Sequence, residues 1–155
     1  MIASHESSTP PAHSERGLPP GLTRLLGTLF GERFTTSAAV CLQHGVDESA
    51  FAPAPPDAVV FPESTEEVAA AMAACHAHGV PVIPFGVGSS VEGHLLAVHG
   101  GVSFDTSRMN RVIDIRPEDL TATVQAGVTR EQLNRELAST GFFFSVDPGA
   151  NASIG

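Results

Sequence analysis

Val80-Pro81-Val82-Ile83-Pro84-Phe85-Gly86-Val87-Gly88-Ser89-Ser90-Val91-Glu92-Gly93 is the stretch that decides the fold: an apolar run that empties into a glycine- and serine-rich loop. Glycine tolerates positive φ and has no side chain to block a close approach, so such a loop can turn several backbone N–H groups toward one anion. Its natural guest is a phosphate-bearing cofactor. The competing reading is an ordinary tight turn between two strands, and the glycines alone do not separate the two.

Spacing narrows the choice. A dinucleotide fingerprint needs G-x-G-x-x-G opening a helix, whereas Gly86, Gly88 and Gly93 read G-x-G-x-x-x-x-G and lead into His94-Leu95-Leu96-Ala97. Gly88 to Gly93 matches the start of a P-loop, but His94 and Leu95 stand where that motif needs Lys and Ser/Thr.

Upstream, Leu22, Leu25, Leu26, Leu29 and Phe30 recur at helical spacing and predict an amphipathic helix ending near Gly31. A short helix from Ser37 to about Gln43, stopped by Gly45, and an extended linker from Pro53 to Pro56 follow. Ala58 to Phe61 reads as an apolar strand. Ser64 and Glu67 then have capping-box spacing, Val68, Met72 and Cys75 fall on one helical face, and Gly79 supplies the stop. Together with the strand Val80 to Phe85, these make a parallel unit whose crossover lies on one face. The glycine loop is thereby placed at the carboxyl end of a strand, where open α/β sheets bind ligands.

Downstream, Val102 to Asp105 and Arg111 to Ile115 are expected strands, and Thr121 to Ala126 alternates like a half-buried one. Thr129 and Gln132 repeat the capping-box spacing, with Val128 and Leu133 as a hydrophobic staple, Leu137 facing the core and Gly141 ending the helix. Phe142, Phe143 and Phe144 read as buried strand or as an apolar wall for a nucleotide. The expected organisation is a disordered leader over 1–20, N-terminal helices and linker over 21–56, and the cofactor domain over 57–155.

Composition excludes several classes. The chain has 155 residues, a formal net charge of −9, 8 basic residues that are all arginine, and so no basic stripe for the phosphates of a nucleic acid. Cys41 and Cys75 lie far apart without a C-x-x-C, and His76 and His78 would diverge on a helix. Reduced core thiols of an intracellular protein and surface histidines are the expectation, with no metal site. Residues 1–20 lack the apolar centre of a signal peptide. Val68 to Val91 carries no charged side chain, but its glycines and prolines would break a membrane-spanning helix, so no transmembrane segment is expected.

Further along, Val102-Ser103-Phe104-Asp105, Met109-Asn110-Arg111-Val112, Val124-Gln125-Ala126-Gly127-Val128 and Val146-Asp147-Pro148-Gly149-Ala150-Asn151-Ala152-Ser153-Ile154-Gly155 follow the glycine loop in order. With that loop they resemble the FAD domain of the vanillyl-alcohol oxidase and p-cresol methylhydroxylase superfamily, in the branch of the FAD-linked D-lactate dehydrogenases (cytochrome) and glycolate oxidases. The resemblance covers residues 33 to 155. It implies an α+β fold of small α/β subdomains, the p-cresol methylhydroxylase type of FAD-binding domain, incomplete at the C-terminus. Because the chain stops inside a motif, a truncated piece of a longer protein is the expectation.

By the same resemblance FAD is bound by Pro84, Gly86, Val87, Gly88, Ser89, Ser90 and Gly93, its pyrophosphate held by Gly86 to Ser90, with Ser89 and Ser90 adding hydroxyl donors. Pro148, Gly149, Ser153 and Gly155 approach from the opposite side. Some members tether FAD through a loop histidine; Val87, Ser89 and Ser90 stand here instead, which implies noncovalent FAD. The implied reaction oxidises a D-2-hydroxy acid such as D-lactate to the 2-oxo acid, with electrons passed to a cytochrome or quinone-type acceptor. The substrate clamp, catalytic histidine and metal ligands belong to the family's C-terminal half, so no catalytic residue is expected here, and Glu92 is a buried acid or a loop anchor. The location implied is cytoplasmic or peripheral to a membrane. Two alternatives stay open: a non-catalytic FAD-binding remnant, and an NAD-dependent dehydrogenase or nucleotide hydrolase.

Overall fold

Helix α1, Pro20–Phe30, opens the computed structural model, which describes residues 17–146 and 149–155. Proline fits the first helical turn because its missing N–H would be unpaired there anyway. Leu18 already packs against the core, so order reaches into the end of the expected leader, whose residues 1–16 lie outside the described ones. Strand β1 is Phe34–Thr35, helix α2 Ala38–Gln43, strand β2 Ala58–Val60, helix α3 Thr65–Ala77, strand β3 Val82–Phe85 and strand β4 Val102–Asp105.

The four strands form one sheet in the order β1-β2-β4-β3, with β2, β4 and β3 parallel and β1 antiparallel to β2. The expected crossover from β2 through α3 to β3 is therefore parallel, but its strands are not neighbours. Val102 of β4 pairs with both Ala58 and Val82. Burial explains the order: β4 is buried at all its positions, as a strand covered on both faces must be, whereas β3 contains Pro84, which has no N–H to donate, and takes the edge. Residues 21–56 share this sheet and its core through β1 and α1.

On one face of the sheet, Leu22, Leu26 and Phe30 of α1 meet Ala71, Ala74 and Cys75 of α3 over Val60, Val102 and Phe104. Each fully buried large apolar side chain contributes about 1.5–3 kcal/mol. Met72, expected on the buried face of α3, is 46% exposed, because the stripe runs through positions 68, 71, 74 and 75 and leaves 72 on its rim. On the other face Ile83 packs with Leu95 and Ala97. Cys41 and Cys75 are buried free thiols, and His76 and His78 are exposed.

The cap of α3 forms by half. Ser64 Oγ accepts from the Glu67 N–H at 3.2 Å, but the Glu67 carboxylate does not return to Ser64. It accepts from the Glu63 N–H and meets Arg33 in a two-pronged pair, 2.6 Å on each arm, and Arg33 also donates to the Phe61 carbonyl. A charged fork outcompetes a single neutral backbone donor. Arg33 holds the Glu67 carboxyl below its ordinary range and ties β1 to the start of α3.

Beyond the sheet, β5 (Val112–Arg116) and β6 (Thr121–Val124) form a two-stranded antiparallel hairpin, and helix α4 is Arg130–Leu137. Thr129 caps α4 through the Gln132 N–H, Val128 and Leu133 are buried as expected, and the Gln132 side chain reaches across to the Asn110 carbonyl at 2.7 Å. Two expectations fail. Thr121 to Thr123 are exposed rather than half-buried, and Phe142 to Phe144 form no strand, with Phe143 73% exposed. The cause is shared: Ile115, Leu120, Leu137 and the phenylalanines line an open apolar groove of about 290 Å³.

Candidate functional site

At Phe85 the chain leaves the sheet and enters the glycine loop. Gly88 and Gly93 take φ of +75° and +78°, which takes the segment out of both helix and ladder geometry. Among the described residues, the N–H groups of Val87, Gly88, Ser89, Ser90 and Val91 have no hydrogen-bond partner. The loop is pinned instead from its far side. Glu48 N–H donates to the Ser90 carbonyl at 3.0 Å, Gly93 N–H donates to Asp47 Oδ2 at 3.0 Å, and a side chain on Gly93 would strike the Phe51 ring. Hydrogen bonds from Ser49, Gly93 and Ser90, the Ser49 hydroxyl foremost, keep the Asp47 carboxyl below its ordinary range.

The segment 149–155 returns antiparallel along 126–130. Ile154 N–H donates to the Val128 carbonyl at 2.8 Å, and Gly155 N–H to that of Ala126 at 2.9 Å. Ser153 is thereby laid against Gly86 so closely that a β-carbon at Gly86 would run into its hydroxyl oxygen. Between them lies a cavity of about 160 Å³. Gly86 and Val87 form one wall and Ser153 the other. Thr106, Ser107 and Asn110 close it after β4, and Gly127, Thr129 and Gln132 close it around the start of α4. Every lining residue is neutral, and six of the nine carry a hydroxyl or an amide: Thr106, Ser107, Asn110, Thr129, Gln132 and Ser153. Such a wall receives an anion through oriented dipoles rather than a mobile counter-charge. Ligand pockets for whole small molecules run to about 300–1,000 Å³, so this volume suits a phosphate-sized group rather than a dinucleotide.

The residues picked from sequence do not all meet at the cavity. Gly86, Val87 and Ser153 converge on the cavity, and Gly155 adjoins it, its carbonyl accepting from Ser153 Oγ at 2.9 Å. Gly88 and Ser89 stand on the loop crest beside the unpaired N–H groups, and Pro84 is exposed on the edge of β3. Ser90 and Gly93 serve the loop itself: the Ser90 hydroxyl shares a hydrogen bond with His94 Nδ1 and accepts from the Glu92 N–H. Gly149 lies exposed, and Pro148 is outside the described residues. The Glu92 side chain is 74% exposed, so it is not a buried acid.

Sequence reasoning missed Thr106, Ser107, Asn110, Gly127, Thr129 and Gln132 as lining residues. The rule that placed the glycine loop at the carboxyl end of β3 applies equally to β4, whose carboxyl end is Thr106-Ser107. It also missed a buried pair. His44 Nε2 lies 2.9 Å from Asp105 Oδ2, its Nδ1 lies 2.9 Å from the Val40 carbonyl, and its ring packs on Phe85 and edge-on to Phe61. No spacing announces partners 61 residues apart.

Similar proteins point one way. A probable mitochondrial D-lactate dehydrogenase of Danio rerio is 49% identical over 123 residues, and a mitochondrial D-lactate dehydrogenase [cytochrome] of Arabidopsis thaliana is 40% identical over 140. Those matches cover 79% and 89% of this chain but 25% of each relative, so the chain spans about a quarter of their length. Among solved structures, alkyldihydroxyacetonephosphate synthase superposes with a TM-score of 0.80 at 26% identity, over 89% of this chain and 31% of that one. p-Cresol methylhydroxylase shares the fold at a TM-score of 0.64 and 21% identity, over 77% of this chain and 24% of its own. The model of the FAD binding domain family matches residues 56–155, and the chain belongs to that family.

Proposed function

We propose that this chain is the FAD-holding portion of a flavin-dependent oxidoreductase that converts a D-2-hydroxy acid such as D-lactate to the 2-oxo acid. One observation carries the cofactor part: Gly86 and Ser153, 67 positions apart in sequence, enclose a cavity of uncharged residues beside a run of uncommitted N–H groups. A diphosphate suits that wall. Val87, Gly88 and Ser89 would donate backbone N–H groups to it, and Thr106, Ser107, Thr129 and Ser153 would present hydroxyls from the facing wall. We assign noncovalent attachment, since the loop carries Val87, Ser89 and Ser90 where a histidine tether would stand.

When bound, FAD supplies the redox chemistry, taking a hydride from the substrate and passing electrons to a cytochrome or quinone-type acceptor. This chain's residues bind and orient; none of them is assigned a proton-transfer role. The substrate class rests on the D-lactate dehydrogenase relatives, and a cytochrome acceptor on the name of the Arabidopsis one. The proposed location is cytoplasmic or peripheral to a membrane. Among the described residues no helix is long and apolar enough to cross one, while both relatives carry "mitochondrial" in their names.

A thermal-shift series on the full-length protein stripped of cofactor tests the reading. A ligand at 100 times its dissociation constant stabilises by about 2.7 kcal/mol, so FAD should raise the melting temperature while NAD and ATP leave it unchanged. A shift with NAD or ATP and none with FAD reverses the assignment.

A further inference from the structure

His44 and Asp105 sit beneath the loop rather than in its cavity, and their geometry defines a charge state. The Val40 carbonyl can only accept, so His44 Nδ1 must donate to it; the Asp105 carboxylate also accepts, so Nε2 must donate as well. With Asp105 ionised, as its lowered pKa favours, both ring nitrogens carry protons and the pair is imidazolium with carboxylate. The same carboxylate accepts from the Ser107 N–H at 2.8 Å, and Ser107 lines the cavity. Unpaired, Asp105 would place a buried negative charge just behind an anion site. The His44 ring also packs on Phe85, the last residue before Gly86, and begins the segment whose Asp47 and Glu48 hold Gly93 and Ser90.

We propose that the His44–Asp105 pair is a positioning device for the glycine loop, holding its base in place and cancelling the carboxylate charge behind the anion site; this rests on the FAD reading above. Its working range follows from the surroundings. Burial pushes the His44 pKa down, but the Asp105 hydrogen bond, the Val40 carbonyl and the Asp105 charge outweigh it and leave the value raised. Burial likewise pushes Asp105 up, and hydrogen bonds from His44 and Ser107 outweigh it and leave it lowered. Asp105 is the charged group that faces the imidazole. One turn back on α2, Cys41 is a thiol whose pKa burial raises, and Phe61 and Phe85 do not titrate. The pair is intact below the raised His44 value and opens as the pH rises through it.

Two measurements on the full-length protein decide it. In FAD titrations across pH, the wild type should bind more weakly as His44 deprotonates, and His44→Gln should bind about 5- to 150-fold more weakly than wild type on the acid side of that transition, with the alkaline limb gone. The double variant His44→Gln/Asp105→Asn, which removes the stranded charge, should recover part of the loss, as a purely structural defect would not. Equal affinity in wild type and His44→Gln, or a double variant weaker than the single one, overturns the proposal. Hydrogen exchange without added FAD gives an independent arm. In His44→Gln, and in wild type above the His44 pKa, the Glu48 and Gly93 amides should exchange faster after correction for intrinsic rates, while those of α4 do not change. If wild type binds no FAD, the cofactor reading falls and this exchange pattern alone decides the brace; unchanged rates at Glu48 and Gly93 reject it.

Discussion

The four-stranded sheet and the β5–β6 hairpin treat their apolar side chains in opposite ways. In the sheet, Val59, Val60 and Val102 are wholly buried; α1 and α3 cover Val60 and Val102 on one face, and the 95–97 segment packs on Ile83 on the other. In and beside the hairpin, Ile113, Leu120 and Phe143 are 62%, 75% and 73% exposed. The glycine loop is anchored to the first region on every side but one: β3, the 44–51 segment and Asp105 all belong to it. Only the Ser153 wall is carried by the second, through the 126–130 pairing. A closed core thus holds the rigid half of the site, and a thinly covered element supplies the other half.

Substitutions that probe this contrast should separate by size. Leu26→Ala, in the closed core, should cost about 2–5 kcal/mol, read as a lowered denaturation midpoint. Next comes pH. The His44 contribution is fully present below about pH 6.5 and is lost as pH rises through its raised pKa; that of Asp105 is present above about pH 3.9 and is lost as pH falls through its lowered one. Stability should therefore form a plateau between the limbs, with slopes of up to about 1.4 kcal/mol per pH unit per group, and Asp105→Asn should flatten both. Ser64→Ala removes the cap of α3 and should cost about 1 kcal/mol in a thermal melt. Phe143→Ser, in the open region, should change stability by no more than about 0.5 kcal/mol. A Phe143→Ser loss as large as that of Leu26→Ala would erase the contrast.

The same contrast explains what was legible in the sequence. Several local signals held: the Leu22, Leu26, Phe30 stripe, the Ser64 and Thr129 hydroxyl caps and the β3-to-loop transition all lie within a few residues of their cause. Non-local competition was invisible. The insertion of β4 between β2 and β3 depends on which strand tolerates an edge, and the Glu67 carboxylate left its expected cap for Arg33, 34 residues away. The hairpin misled for another reason. Alternation along Thr121 to Ala126 and three consecutive phenylalanines signal burial only if something covers them, and the pattern does not say what. In the site, glycine spacing marked the loop, but the facing hydroxyls of Thr106, Ser107 and Thr129 had no motif of their own.

The central claim is that the glycine loop, not the apolar groove beside the hairpin, holds the cofactor. Its most direct test is the flavin content of purified full-length protein carrying Gly88→Asp, compared with Phe143→Ser and wild type. A carboxylate on the loop crest would face the diphosphate, and a side chain at φ +75° is strained in its own right. Stoichiometric flavin in wild type and Phe143→Ser, and none in a folded Gly88→Asp, is the predicted result. Flavin retained at full occupancy by Gly88→Asp, or lost from Phe143→Ser, would contradict it.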